Sequence, residues 1–223
     1  MTLTEARLAA TSVALRVAFA PVLTAGFHLR MVGRPHLPDR GAAIVLSNHA
    51  SFLDPFLISA RCGRPVRWLV SREFYAKPQL QWALRWLGTI PVGGGRSMVR
   101  SYRRIAEVLS RGGLVGIFPE GGISRDGEMK TFHEGAAVLA RRFDVPVVPM
   151  HIHGSYEALS RYAKWPRFVP ITIRVGPPLR GDSFRNSDSR VSEAVPSNEV
   201  AALTEAMRAA IAALESENRA VPR

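Results

Sequence analysis

Cysteine is almost absent from this 223-residue chain: Cys62 stands alone. A single thiol forms no internal disulfide, which excludes a disulfide-stapled secreted scaffold and favours a reducing, cytosol-facing location. Nothing around Cys62 marks it as an activated nucleophile. Acidic residues are also scarce, 18 against 30 Lys and Arg, for a formal charge of +12. Such an excess calls for an acidic partner: nucleic acid, anionic lipid or a phosphorylated substrate. An uninterrupted apolar run of the ~20 residues that a membrane span needs is missing too. The longest candidate, Leu8 to Leu29, is split by Arg16, and an Arg at mid-bilayer costs about 3 kcal/mol. That segment reads as helix, broken at Pro21, lying in a membrane interface or packed on the protein's own core. Arg16 also interrupts any signal-peptide apolar region, and Pro21 follows the Ala18-Phe19-Ala20 triplet, which argues against cleavage. Internal repeats, low-complexity tracts, RNA-binding signatures and helix-turn-helix patterns are not found.

What the chain does have is a 47% hydrophobic content, ample for one domain's core. Its positive charge is concentrated. Arg61 to Arg111 holds eleven Lys or Arg against Glu73 and Glu107 alone, with Trp68, Phe74, Tyr75, Trp82 and Trp86 among them. Cations mixed with amphipathic rings suit the boundary between water and anionic lipid. The same mixture binds nucleic acid by stacking and phosphate contacts, a reading that ranks below lipid and that no motif supports.

Short apolar runs alternate with helical patterns. Ala42 to Leu46, Val66 to Val70, Gly88 to Val92, Leu114 to Phe118, Val145 to His153 and Ile171 to Val175 read as strands. Pro55 to Ala60, Leu80 to Leu87, Ser97 to Ser110 and His133 to Arg142 read as helices between them. Alternation of this kind predicts an α/β domain with a mixed, largely parallel sheet flanked by helices. The expected division is an N-terminal membrane-interfacial helical segment at 1–30, the α/β domain at 31–180, and a loop plus an amphipathic helix at 181–223. In that last helix Val200, Leu203, Met207, Ala210, Ile211 and Leu214 make one stripe, which docks on the domain or on a partner.

The first strand runs into Asn48-His49-Ala50-Ser51-Phe52-Leu53-Asp54. An imidazole at a strand's end is the usual general base near neutral pH, and Asp54 at a helix start can hold its other nitrogen. No G-x-S-x-G surrounds Ser51, so a His-Asp pair acting on a substrate hydroxyl fits better than a covalent mechanism. The plain alternative is a packed turn with Asp54 capping a helix. A later strand ends in Pro119-Glu120-Gly121-Gly122, and in open α/β sheets ligands collect at such carboxyl ends. If the two ends are neighbours, Glu120 faces the His49 pocket. Gly93-Gly94-Gly95-Arg96 is either an anion-holding loop, with Arg96 as clamp, or a plain turn. His151 and His153 alternate onto one strand face, yet without Cys or a carboxylate in motif spacing they are expected to be core or rim histidines, and no metal is assigned.

Taken in order, Asn48 to Asp54, Gly88 to Arg96, Phe118-Pro119-Glu120-Gly121 and Val145 to Pro149 resemble the four blocks of the glycerolipid acyltransferases typified by 1-acyl-sn-glycerol-3-phosphate acyltransferase. The likeness covers about Gly41 to Gly154. It implies an α/β sheet flanked by helices, an acyl-CoA or acyl carrier protein donor as co-substrate with no cofactor, and a lysophospholipid hydroxyl as acceptor. It also implies a peripheral or monotopic position on the anionic cytoplasmic face of the cell membrane, with no nucleic-acid partner. By the same resemblance His49 and Asp54 are catalytic, while Asn48, Arg96, Glu120, Gly121, Gly122 and Arg125 line the substrate site. One departure matters. Phosphatidate-forming members continue the third block as Glu-Gly-Thr-Arg-Ser, where the Arg helps to hold the acceptor phosphate. Here Gly122 and Ile123 stand in the Thr and Arg positions, and Arg125 is the nearest substitute. Lysophosphatidate is the leading acceptor; lysophosphatidylethanolamine or an ornithine lyso-lipid is the alternative, and a non-catalytic lipid-binding protein the alternative of another class.

Overall fold

A run without a charge is at home only where both faces of a strand are covered, and Ala43–Ser47 (β2) is buried at all five positions. The computed structural model describes residues 20–94, 96–180 and 197–219. In it β2 is the middle strand of a seven-stranded sheet ordered β1-β7-β6-β2-β5-β3-β4. The other strands are β1 (Arg30–Val32), β3 (Val66–Ser71), β4 (Ile90–Val92), β5 (Leu114–Ile117), β6 (Val147–His153) and β7 (Thr172–Val175). β2 pairs in parallel with β5, Leu46 opposite Ile117, and in parallel with β6, Leu46 opposite Pro149. Among the seven described strands only the β6–β7 pairing is antiparallel, with one further antiparallel bridge between Val147 and Leu179. The sheet is therefore mixed and largely parallel, as the alternating pattern predicts.

Helix α1 (Asp54–Arg61) carries the chain from β2 to β3, past β5. Two short helices, α2 (Arg72–Tyr75) and α3 (Pro78–Trp86), precede β4, and α4 (Arg96–Ser110) leads to β5. Helix α5 (Gly135–Phe143) carries the chain from β5 to β6, past β2. The buried residues of α1 and α5 belong to different cores. Leu57 and Ile58 pack with Val45 and Trp68, whereas Ala136, Ala137 and Ala140 pack with Ile44 and Leu46. The connections leaving β2 and β5 thus run in opposite directions on opposite faces. This makes the gap between their carboxyl ends the sheet's switch point, where the chain leaves room for a ligand.

After α6 (Ser155–Leu159) and β7, the long helix α7 (Ser197–Arg219) closes the second core. Its stripe of Val200, Leu203, Met207 and Ile211 is buried against that core, so it docks on the domain. Near its end Asn218 Nδ2 donates to His151 Nδ1 at 2.8 Å, and Asn218 Oδ1 accepts from Arg174 Nε at 2.7 Å. His151 is thereby a core residue hydrogen-bonded to α7.

Several boundaries move. The helix expected from His133 begins at Gly135, and α4 begins at Arg96 rather than Ser97. Val99, expected on the inner face of α4, is 57% exposed. Trp68, expected among the interfacial rings, is 2% exposed, because at that point in β3 it alternates onto the α1 core. Residues 20–26, Pro21 among them, are helical, and the helix ends at Gly26, three residues short of the expected end at Leu29; residues 8–19 of the expected N-terminal helix and the expected loop at 181–196 lie outside the described residues. Among the described residues no helix is long and apolar enough to cross a membrane.

Ile211 is fully buried between α7 and the sheet. Ile211→Ala should lower the unfolding free energy by about 3 kcal/mol, read as a shift of the urea midpoint with unchanged slope.

Candidate active site

His49 leaves β2 two residues past its end, and every polar group on it but one is engaged. Its main-chain N–H donates to Glu120 Oε1 at 2.8 Å, and its carbonyl accepts from the Ser124 N–H at 2.8 Å. The loop after β5 thus grips the His49 peptide from both sides, as a ladder partner would. In the ring, Nδ1 lies 2.9 Å from Asp54 Oδ2. That oxygen also accepts from the N–H groups of Ala50 and Ser51, both at 2.8 Å. A carboxylate is an acceptor only, so Nδ1 carries the proton and Nε2 presents its lone pair. Among the described residues Nε2 has no partner, and the ring is 15% exposed beside a fully buried Asp54.

The fivefold separation of His49 and Asp54 is closed by a turn. The Asp54 N–H donates to the Ser51 carbonyl at 3.3 Å, and Asp54 is the first residue of α1. Ser51 holds the turn rather than acting as a nucleophile: its hydroxyl donates to the Leu159 carbonyl at 2.7 Å and accepts from the Leu53 N–H at 3.1 Å.

Behind the imidazole stands a stack of rings that sequence reasoning missed. Phe118 lies 3.9 Å from the His49 ring centroid at 13°, and Trp68 lies 4.4 Å from Phe118 at 7°. The indole N–H of Trp68 donates to Ser59 Oγ in α1 at 3.0 Å, so the helix that carries Asp54 also fixes the stack. A clue was present in Gly116, which sits opposite Trp68 in the β3–β5 register. A Cβ there would come within 2.4 Å of the indole. The glycine makes room for the ring that backs the site.

Two residues expected to line the substrate site, Asn48 and Glu120, make contacts that hold its loops together. Asn48 is 4% exposed, its amide donating to the Ile152 carbonyl at 3.1 Å and accepting from the Ile152 N–H at 2.8 Å. Its side chain is committed to joining the ends of β2 and β6. Glu120 is 7% exposed, with its second oxygen accepting from the Lys130 N–H at 3.2 Å. It does face His49, as expected, but through the peptide. Burial pushes the Glu120 carboxyl above its ordinary range, and the N–H groups of His49 and Lys130 pull it part of the way back.

Gly121 adopts φ +71°, and a Cβ on it would meet His133 Nε2 at 2.8 Å. Its N–H closes the turn onto the Phe118 carbonyl at 3.2 Å. Gly122 has open space where a side chain would stand. Arg125 is exposed close by, its carbonyl accepting from the Tyr156 hydroxyl at 3.1 Å. Arg96 opens α4 beyond edge strand β4, with β5 and β3 between it and β2; its side chain lies outside the described residues. Among the described residues no three His, Cys, Asp or Glu side chains gather as a metal-ligand set.

The chain belongs to the acyltransferase family, whose model matches residues 28–153 and so takes in every element from β1 to β6. Among curated relatives, a chloroplastic 1-acyl-sn-glycerol-3-phosphate acyltransferase of Arabidopsis thaliana is 31% identical over 132 residues, 58% of this chain and 37% of the relative. A 1-acyl-sn-glycerol-3-phosphate acyltransferase of Pseudomonas aeruginosa is 28% identical over 165 residues, 72% of this chain and 62% of the relative. The chain thus spans less than two thirds of the length of these relatives. A solved structure, the 1-acyl-sn-glycerophosphate (LPA) acyltransferase PlsC of Thermotoga maritima, has the same fold, with a TM-score of 0.73 at 21% identity, covering 100% of this chain and 86% of that one.

Glu120→Gln tests the grip on His49. A carboxyl whose folded pKa is raised stabilises the fold fully below the unfolded value, 4.5, and loses that contribution as pH rises through the folded value. Relative to the variant, the wild type should therefore be most stable near pH 4 and lose ground towards pH 7, measured by urea unfolding across that window. At neutral pH the Gln amide turns a donor towards a donor, so turnover should fall by about tenfold.

Proposed function

We propose that this chain is an O-acyltransferase that moves a fatty acyl group from the thioester of acyl-CoA or acyl carrier protein to the hydroxyl of a lysophospholipid. The preferred acceptor is 1-acyl-sn-glycerol-3-phosphate, giving phosphatidate, at the anionic cytoplasmic face of the cell membrane. The observation that carries this reading is the state of His49: its N–H, carbonyl and Nδ1 are held, while Nε2 has no partner among the described residues and the ring keeps 15% exposure.

His49 Nε2 takes the acceptor hydroxyl proton as the oxygen attacks the thioester carbonyl carbon. Asp54 keeps the ring in the productive tautomer and stabilises the imidazolium, with Phe118 stacked on its face. The tetrahedral oxyanion forms beside the Gly121-Gly122 turn, where the missing side chain at Gly122 lets a carbonyl approach the backbone. Collapse breaks the C–S bond, and the imidazolium returns its proton to the leaving thiolate. Neither a metal nor an acyl-enzyme is required. The names of the relatives support lysophosphatidate as acceptor. Ile123 in the family's phosphate-holding Arg position favours, as the second reading, a lysophosphatidylethanolamine or ornithine lyso-lipid acceptor. Arg96 and Arg125 are the cations proposed to hold the acceptor's phosphate.

His49→Ala should lower acyl transfer from labelled acyl-CoA to lysophosphatidate by about a thousandfold or more, with a cooperative urea transition retained because the backbone grip on residue 49 survives. Transfer persisting within tenfold of wild type would refute the assigned base. Mass spectrometry of products from a mixed lysolipid pool separates the two acceptor readings.

A further inference from the structure

The segment between α6 and β7 plays no part in the mechanism, yet it displays large apolar side chains to solvent. Tyr162 is 67% exposed, Trp165 81% and Phe168 72%. Arg161, Lys164 and Arg167 alternate with them, also exposed, and no acidic residue occurs from Ser160 to Pro170. Each ring could have removed about 150–250 Å² from water by packing inward, and single exposed rings need no explanation. Three within seven residues, each beside a cation, form a pattern.

The backbone of this loop is nevertheless fixed. The Arg167 N–H donates to the Ala158 carbonyl at 2.7 Å, and the Ala163 N–H donates to the Ser160 carbonyl at 3.1 Å. The Phe168 ring leans on Phe27 at 5.2 Å, which joins the loop to the end of the helical residues 20–26. At its root, the Leu159 carbonyl accepts from the hydroxyl of Ser51, two residues from His49. The loop that carries the exposed rings is thus hydrogen-bonded, at its root, to the turn that carries the imidazole.

We infer that the 160–170 loop is a docking surface for an anionic phospholipid bilayer, with Trp165 and Tyr162 entering the headgroup boundary while the three cations meet acidic headgroups. Charge complementarity selects this partner: rings that are apolar at one end and polar at the other settle at the interface, and adjacent cations add an electrostatic attraction to acidic lipid. The inference rests on the proposed lipid-modifying reaction, because it gives the loop's attachment to the His49 turn its purpose of bringing the site to the surface where the acceptor resides.

The test uses the full chain and vesicles of phosphatidylcholine, either alone or with about one third phosphatidylglycerol. Tryptophan emission should shift to the blue and be quenched by brominated lipid on the anionic vesicles, and the part of the quenching that reports residue 165 should vanish in Trp165→Phe. Replacing Arg161, Lys164 and Arg167 by Ala should weaken partitioning by about fivefold per charge removed, with urea midpoints unchanged. Equal quenching in wild type and Trp165→Phe would overturn the docking surface, as would vesicle affinity insensitive to the three charges. Preferential binding of single-stranded RNA through the same residues would overturn it too. Acyl transfer is read separately: lost turnover with Trp165 quenched defeats the reaction and leaves the docking surface standing, whereas full turnover with Trp165 unquenched does the reverse.

Discussion

The grip of the post-β5 loop on the His49 peptide is the constraint from which the rest of the site follows. A His leaving a strand end has a free N–H and a free carbonyl, which water would otherwise satisfy in many conformations. Glu120 and Ser124 supply both partners at 2.8 Å, so the loops after β2 and β5 are joined past the end of the sheet. The connection is possible only because β2 and β5 are parallel neighbours ending at the same level. A carboxylate at position 120 is what the pairing needs: it offers two acceptor oxygens, one for His49 and one for Lys130, where an amide would offer one. Its burial is a real cost, and that cost is the reason two N–H donors converge on it.

A second constraint acts on the ring. Asp54 Oδ2 carries three donors, from Nδ1 of His49 and the N–H groups of Ala50 and Ser51. The same oxygen therefore shapes the turn and orients the imidazole, and neither function can be altered alone. Phe118 and Trp68 restrict the ring from the side. An imidazole confined on three sides has little rotational freedom left to lose, so its orientation is set in advance of any ligand.

Much of this was legible in sequence. The apolar runs before His49 and Glu120 identified two buried strands, and their polar termini identified the loops that meet. Strand pairing itself was not legible, since a run such as Leu114 to Phe118 carries no mark of its neighbour. Hence Glu120 could be expected beside His49, but not the contact it makes there, which is with the peptide N–H. Asn48 shows the same limit: nothing in a polar residue next to His49 reveals that its amide bridges to Ile152, more than a hundred residues away. Trp68 illustrates the limit of composition. Surrounded by cations in sequence, it points to the opposite side of the strand from Arg67 and is core, because alternation along a strand decides burial residue by residue.

The division of labour between charge and chemistry follows from where the proposed substrates reside. Drawing a lysolipid wholly into water costs roughly 0.8 kcal/mol per CH₂ of its chain, so a long acyl chain resists extraction by more than a small site could repay. An imidazole that needs only the headgroup hydroxyl avoids that cost if the protein brings it to the bilayer. The features required are a cationic, ring-bearing rim and a rigid link from that rim to the base. The rim is present at Arg161 to Phe168, and the link is the Ser51 to Leu159 hydrogen bond. On this view the +12 charge acts on the encounter with the surface and contributes nothing to the proton transfer, which depends on a few buried contacts around one histidine.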